Sequence, residues 1–334
     1  MKISKSIEAI DTHTMGQPTR IIRGGIINIA GSTMAEKKQY LIDNLDYVRE
    51  ALMREPRGHA NMFGAIYTKP CNPEADFGVI FMDGGGYLNM CGHGSIGAVS
   101  ASIATGATEA LQEYNEIKID TPAGLVRTIA RVVDGIVEEV SILNVPSFLY
   151  KKDIEVDVPG WGAIKLDIVF SGSFFALVDV KEIGYSIKPE NATRLTKVAL
   201  EIRESINWQV KMQHPELAHI TTCDLVKFYS APTHPDANYK NVVIFGEGQV
   251  DRSPCGTGTC AKMAALHARG LVKEGEVVVN ESIIGTLFKS RIVGTTKVGE
   301  YDAIIPEVTG SAYITGFNTF MFDDRDPVKF GFSL

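Results

Sequence analysis

Two stretches decide how this chain reads: MCGHGSIGAVSASIATG, residues 90–106, and SPCGTGTCAKMAALHARG, residues 253–270. Each opens on a cysteine followed by Gly-x-Gly-(Ser/Thr), continues in small and apolar residues, and stops at a glycine. Small apolar residues after a glycine-rich start predict a buried helix beginning just past Cys91 and another just past Cys255. The two cysteines lie 164 positions apart, and similar neighbours surround them. Ahead of the first come an amphipathic pattern after Ser32 (Leu41, Leu45, Val48, Leu52), a stop at Pro56 and Gly58, an apolar run 77–82 and the turn Gly84 to Gly86. Ahead of the second come a helical pattern opened by Pro189 (Leu195, Val198, Ala199, Ile202, Ile206), apolar runs 225–229 and 242–245, and another glycine turn. One order of elements used twice points to an internal duplication. The alternative is chance similarity of two glycine-rich loops.

Further β-type runs are 6–10, 125–133, 136–143, 168–178 and 311–322. The expected fold class is α+β, in two strand-rich halves wrapped around helices. The expected division is 1–124 and 125–300, broken near TPAG (121–124), with 301–334 returning to the first half.

The chain has 334 residues, 45% of them hydrophobic and 22% charged, with a formal net charge of −7. Those values describe an ordinary globular protein, and the acidic balance argues against nucleic acid or an anionic membrane as partner. No apolar run approaches the roughly 18 residues needed to cross a bilayer. The opening MKISKSIEAIDTH lacks an apolar signal region, so a cytoplasmic location is expected. The cysteines are Cys71, Cys91, Cys223, Cys255 and Cys260. An odd number in a chain of this size suggests reduced thiols, and no CxxC or HExxH spells a metal site.

A thiol at a helix start sits beside unpaired N–H groups and a partial positive charge, which lower its pKa. Glycines there (Gly92, Gly94, Gly256, Gly258) leave the amides open to an anion such as a carboxylate. Two such sites facing one another fit removal of an α-proton from an amino acid on one face and its return on the other. That inversion needs one ionised and one protonated group of similar pKa, and no cofactor. Asp251 is placed to pair with a substrate ammonium, or to cap the turn; His93 is placed to hold a carboxylate or tune Cys91, or to serve as a structural donor. Cys71, Cys223 and Cys260 read as small buried hydrophobes. His59 reads as a loop residue and 11–14 as a polar strand end.

These motifs resemble those of the proline racemase family, which includes proline racemases, 4-hydroxyproline 2-epimerases and trans-3-hydroxyproline dehydratases, and more distantly resembles diaminopimelate epimerase. EPRGHANMFG (55–64), NVPSFLYKK (144–152), SGSFFALVD (171–179), THPDANYKNVVIFG (233–246), ESIIGTLFK (281–289) and GSAYITGFN (310–318) look like clostridial-type members too, so the resemblance spans the chain. It implies Cys91 and Cys255 as acid/base thiols, Gly92, His93, Gly256 and Thr257 around the substrate carboxylate, and Asp251 near its nitrogen. It implies Phe63 and Phe245 as walls of the ring pocket. It also implies a homodimer, and two pseudo-symmetric halves, each a barrel-like sheet around a central helix, with the site in the cleft between them. Apolar walls favour proline over hydroxyproline, and two retained cysteines disfavour the dehydratase. HTMGQPTR (13–20) departs from the family's HTAGEATR at Met15, Gln17 and Pro18. The rival readings are the epimerase, a non-catalytic amino-acid binding protein and a thiol redox sensor.

Overall fold

The computed structural model describes residues 2–26 and 28–333. The chain divides into two compact units, Met1–Ile142 with Gly310–Leu334, and Leu143–Thr309. The units differ from the expected division because TPAG is a hairpin turn: Thr121 pairs with Gly124, which takes φ +108°, and the strands on either side stay in one sheet. The following strand, Ile136–Leu143, pairs with Gly124–Val133 as well, so the first unit runs on to residue 142. The final strand, Ala312–Asp323, pairs along the length of Ile3–Thr14, which carries the C-terminal segment back into the first unit from Gly310.

The duplication is plain in the strand pairing. In the first unit Ile3–Thr14 lies antiparallel to Gln17–Gly24, which runs parallel to Phe63–Thr68. Then come Phe77–Asp83, antiparallel, and Tyr114–Thr121, parallel. The second unit repeats this: Gly162–Phe170 antiparallel to Phe174–Asp179, then Cys223–Ser230 parallel, Tyr239–Phe245 antiparallel and Val277–Glu281 parallel. Both faces of strands 63–68, 77–83, 174–179 and 239–245 are covered over most of their length, which accounts for their apolar runs.

Five helices lie among the described residues: α1 (Met34–Asn44), α2 (Asp46–Met53), α3 (Gly92–Ala104), α4 (Ala192–Gln209) and α5 (Gly256–His267). The amphipathic run after Ser32 is two helices, interrupted at Leu45 (φ −134°), with Leu41, Val48 and Leu52 fully buried. Thr33 caps α1 through the Glu36 N–H. Pro189 starts a short 3₁₀ turn ahead of α4. In each unit one helix is enclosed along almost its whole length. Every residue of α3 from Gly92 to Ser102 is buried, as a helix apolar on all sides must be. It packs on strands 3–14, 17–24, 63–68 and 312–323. Helix α5 is buried from Gly258 to Leu266 and packs on strands 148–158, 162–170, 174–179 and 287–298. The start of an enclosed helix is therefore where each motif cysteine sits. No helix among the described residues is long and apolar enough to cross a membrane.

Candidate active site

Cys91 is the N-cap of α3, in extended backbone (φ −150°, ψ 128°), and is half-buried. Its carbonyl accepts from the Ser95 N–H at 3.0 Å and the Ser95 hydroxyl at 2.7 Å, closing the first turn. Its Sγ lies 3.2 Å from Nδ1 of His93. The His93 ring is buried edge-on against Phe63, centroids 4.5 Å apart, and its carbonyl accepts from Thr14 Oγ1 at 2.8 Å. Burial holds His93 neutral, its pKa pushed down to about 3 against a smaller pull from the Pro18 carbonyl. That carbonyl makes no hydrogen bond of normal geometry with Nε2, which is buried and unpaired. Gly94 has to be glycine, because a Cβ would stand 2.8 Å from Phe81 and 3.0 Å from Phe63.

Cys255 occupies the matching place on α5 but is more deeply buried, and its backbone is unusual for a side-chain-bearing residue (φ 62°, ψ 111°). That conformation turns Sγ back over the helix start, where it accepts from the Gly258 N–H at 3.3 Å and lies 3.8 Å from Thr257 Oγ1. Ser253 ties the approach: its hydroxyl accepts from the Cys255 N–H at 3.1 Å and donates to Asp251 Oδ1 at 2.7 Å, while its N–H donates to the same oxygen at 2.9 Å. Burial, reinforced by the Asp251 carboxylate, pushes the Cys255 thiol up, against Lys227, the Gly258 N–H and Thr257. The expectation of a lowered thiol pKa is thus overturned here, because desolvation of Sγ outweighs the helix-start amides. Burial likewise pushes the Asp251 carboxyl up, opposed by its Ser253 hydrogen bonds and by Lys227.

The proline racemase profile matches residues 9–333. The chain belongs to the proline racemase family. It is 59% identical over 334 residues to the proline racemase of Clostridioides difficile and 58% identical over 335 residues to that of Acetoanaerobium sticklandii, with both chains covered in full. Among solved structures it matches a hydroxyproline epimerase of Agrobacterium vitis with bound trans-4-hydroxy-L-proline (TM-score 0.88, 32% identity, covering 100% of this chain and 97% of the other).

Within that family frame, the structure places the expected residues as follows. Cys91, Gly92, His93 and Phe63 meet in the first unit. Cys255, Gly256, Thr257 and Asp251 meet in the second, where Asp251 also acts as the turn residue foreseen as its alternative. Phe245 ends its strand half-buried, paired with Gln249. Met15 and Gly16, both at positive φ, form the two-residue turn of the hairpin between Thr14 and Gln17, so the departure from the family pattern lies beside the His93 carbonyl. Cys223 and Cys260 are fully buried, as expected, and burial pushes each thiol up to about 12. Cys71 is only half-buried, because it sits in a loop whose N–H donates to Asp120. His59 is exposed. The 11–14 run is more than a polar strand end: Thr12 and Thr14 are buried against α3, where they would meet a Cβ on Gly97.

Three residues escaped the sequence reading. Thr14 donates to the His93 carbonyl and Ser253 bridges Asp251 to Cys255; both stand in the stretches 13–20 and 253–270, but neither spacing nor composition gives them these roles. Lys227 lies within an apolar strand, is 0% exposed, and its Nζ has no hydrogen-bond partner. A lysine in the middle of a run buried on both faces was the available signal. Among the described residues no three His, Cys, Asp or Glu side chains converge as a metal site.

Proposed function

We propose that this chain interconverts L- and D-proline, with Cys91 and Cys255 as a thiol/thiolate pair serving opposite faces of the substrate α-carbon. The observation that carries this reading is the repeated placement of a thiol at the first turn of an enclosed helix, within a chain 59% identical to a proline racemase. One thiolate takes the α-proton and the other thiol returns one to the opposite face, so the reverse reaction uses the same pair with roles exchanged. Charge developing on the substrate carboxylate falls to the N–H groups of Gly92, His93, Gly256 and Thr257, which precede the first intrahelical acceptors. The apolar edge of Phe63 beside His93 suits an unsubstituted ring, and Phe245 is its proposed counterpart. Asp251 is the proposed partner of the substrate nitrogen. The scheme needs neither metal nor cofactor, and the family resemblance carries a homodimer with it.

The second reading is epimerisation of 4-hydroxyproline, favoured by the match to an epimerase structure holding that ligand. Chiral chromatography of L-proline and of trans-4-hydroxy-L-proline under one set of conditions separates the two. Proline turnover has to exceed hydroxyproline turnover, and both Cys91→Ser and Cys255→Ser have to lose it. Full activity in either variant ends the two-thiol assignment. Solvent deuterium entering the α-position, dependent on the protein, excludes a mere binding protein.

A further inference from the structure

Beneath α5 the second unit carries a row of four paired residues across neighbouring strands: Leu177, Lys227, Val243 and Asp251. Directly paired residues point to the same face of a sheet. Leu177 and Val243 pack with Cys255, Ala261 and Met263, so this row faces α5. The matching row of the first unit is Ile21, Ala65, Phe81 and Leu88. The same row of the scaffold therefore carries a buried amine and a carboxylate in the second unit and only apolar side chains in the first.

A structural role does not account for this lysine. Its counterpart Ala65 shows that an apolar side chain completes the same layer, and a buried amine without a hydrogen-bond partner is unfavourable unless a charge nearby offsets it. The titratable groups close enough to act on it electrostatically are Cys255, Cys260 and Lys262 from α5 and Asp251, two strands away in the same row. Cys260 is a fully buried thiol. Lys262 is directed to the rings of Tyr229 and Tyr239. Asp251 commits Oδ1 to Ser253. Cys255 is the group whose charge would change during turnover. We propose that Lys227 is a positioning residue supplying the buried positive charge opposite which Cys255 ionises, so that the two thiols of a duplicated scaffold work at different acidities. This rests on the reading of Cys255 as an acid/base thiol. In the step itself a proton passes between Cys255 Sγ and the substrate α-carbon, and Lys227 keeps its own protons throughout. Burial lowers the Lys227 ammonium and an ionised Cys255 raises it again, so each charge supports the other.

The test is the pH dependence of alkylation by iodoacetamide at Cys255 and at Cys91, resolved by peptide mass spectrometry on the full chain without substrate. In Lys227→Met the midpoint at Cys255 is expected to rise by roughly one pH unit or more, as for loss of an adjacent opposite charge, while that of Cys91 stays put. Lys227→Ala, which carries the side chain of the matching position in the first unit, is the second variant should the methionine be poorly accommodated. An unmoved Cys255 midpoint in either folded variant, or an equal shift at both thiols, overturns the proposal. Alkylation reads acidity rather than turnover. A Cys255-specific shift in a protein with no racemase activity would therefore remove the catalytic reading and leave the charge pairing. An active racemase without the shift would remove the pairing alone.

Discussion

The Cys91 sulfur lies 3.2 Å from Nδ1 of His93, within the first turn of the same helix. Burial keeps that imidazole neutral. With the ring proton on Nε2, Nδ1 is an acceptor for the Cys91 S–H; with it on Nδ1, the ring donates to a thiolate. Either way this partner of Cys91 is uncharged, whereas Cys255 has Asp251 and Lys227 for neighbours. The two thiols share a backbone motif and differ in what surrounds them.

A neutral His93 sets a pH dependence of stability. Its folded pKa of about 3 lies below the ordinary 6.5, so the unfolded chain binds the proton first as pH falls. The contribution of His93 is fully present above about pH 6.5 and is lost between there and about pH 3, by up to about 1.4 kcal/mol per pH unit. Urea unfolding of wild type and His93→Gln at pH 7 and pH 5 measures this, with the wild type expected to lose more. An NMR titration in which the His93 ring protonates between pH 5 and 8 would show the ring to be solvated instead.

The glycines following the two thiols are predicted to fail differently. In Gly94→Ala the new Cβ meets the Phe81 and Phe63 rings at 2.8 and 3.0 Å, both in a packed core. Overpacking of this kind costs about 1–3 kcal/mol, and displacing Phe63 should raise KM for proline. In Gly258→Ala the Cβ comes within 3.0 Å of the Cys255 sulfur itself. That variant should lose kcat by more than its melting temperature suggests. Steady-state kinetics and thermal unfolding on both variants check the contrast, and identical kinetic profiles would contradict it.

Much of this was legible in the sequence because the informative features are local and doubled. Cys-Gly-x-Gly-(Ser/Thr) ahead of small residues announces an enclosed helix twice, and a pattern found twice constrains more than one found once. A second repeat escaped notice: YTKPCNPEADF (67–77) and YSAPTHPDANY (229–239). Their loops are closed alike, by Asp120 accepting from the N–H groups of Cys71 and Asn72, and by Glu281 accepting from those of Thr233 and His234. Each carboxylate comes from a strand about 50 residues away, so sequence neighbours do not reveal it. The unit boundary was misplaced for a related reason: a Thr-Pro-Ala-Gly hairpin turn and a Thr-Pro-Ala-Gly linker have the same composition, and only the partner strand tells them apart. The place of Lys227 in a row with Asp251 depends on strand register, which two intervening loops conceal.

Ser253 should matter more than its place two residues ahead of Cys255 suggests. Its hydroxyl links Asp251 Oδ1 to the Cys255 N–H, and all three residues are buried. Ser253→Ala leaves that N–H without its acceptor and removes the hydroxyl donor to the carboxylate, a loss of about 1–3 kcal/mol. Activity is expected to fall more steeply than stability, because the loop that aims Cys255 loosens. Ser253→Thr, which keeps the hydroxyl, should recover most of the activity. If alanine and threonine variants behave alike, the hydroxyl bridge is not what orients the thiol.

Cys255 carries a conflict between backbone and chemistry. At φ 62° and ψ 111° it lies outside the regions that a residue with a Cβ adopts readily. Such a conformation costs of order 1–3 kcal/mol and persists where surrounding structure enforces it. Here the enforcement is the Ser253 bridge on one side and the Gly258 N–H to Sγ on the other. Replacing Cys255 with alanine or with glycine removes the sulfur in both cases, and the scheme above makes both variants inactive. They differ in backbone freedom: glycine adopts positive φ without penalty but has more conformational entropy to lose on folding. Cys255→Gly should therefore be the more stable of the two, by about 1 kcal/mol once the entropy is set against the released strain. Urea unfolding of the pair at one pH measures the difference. An alanine variant as stable as the glycine variant would mean that the backbone at the second thiol is relaxed. The burial that pushes this thiol up would then be the main obstacle to using it as a base.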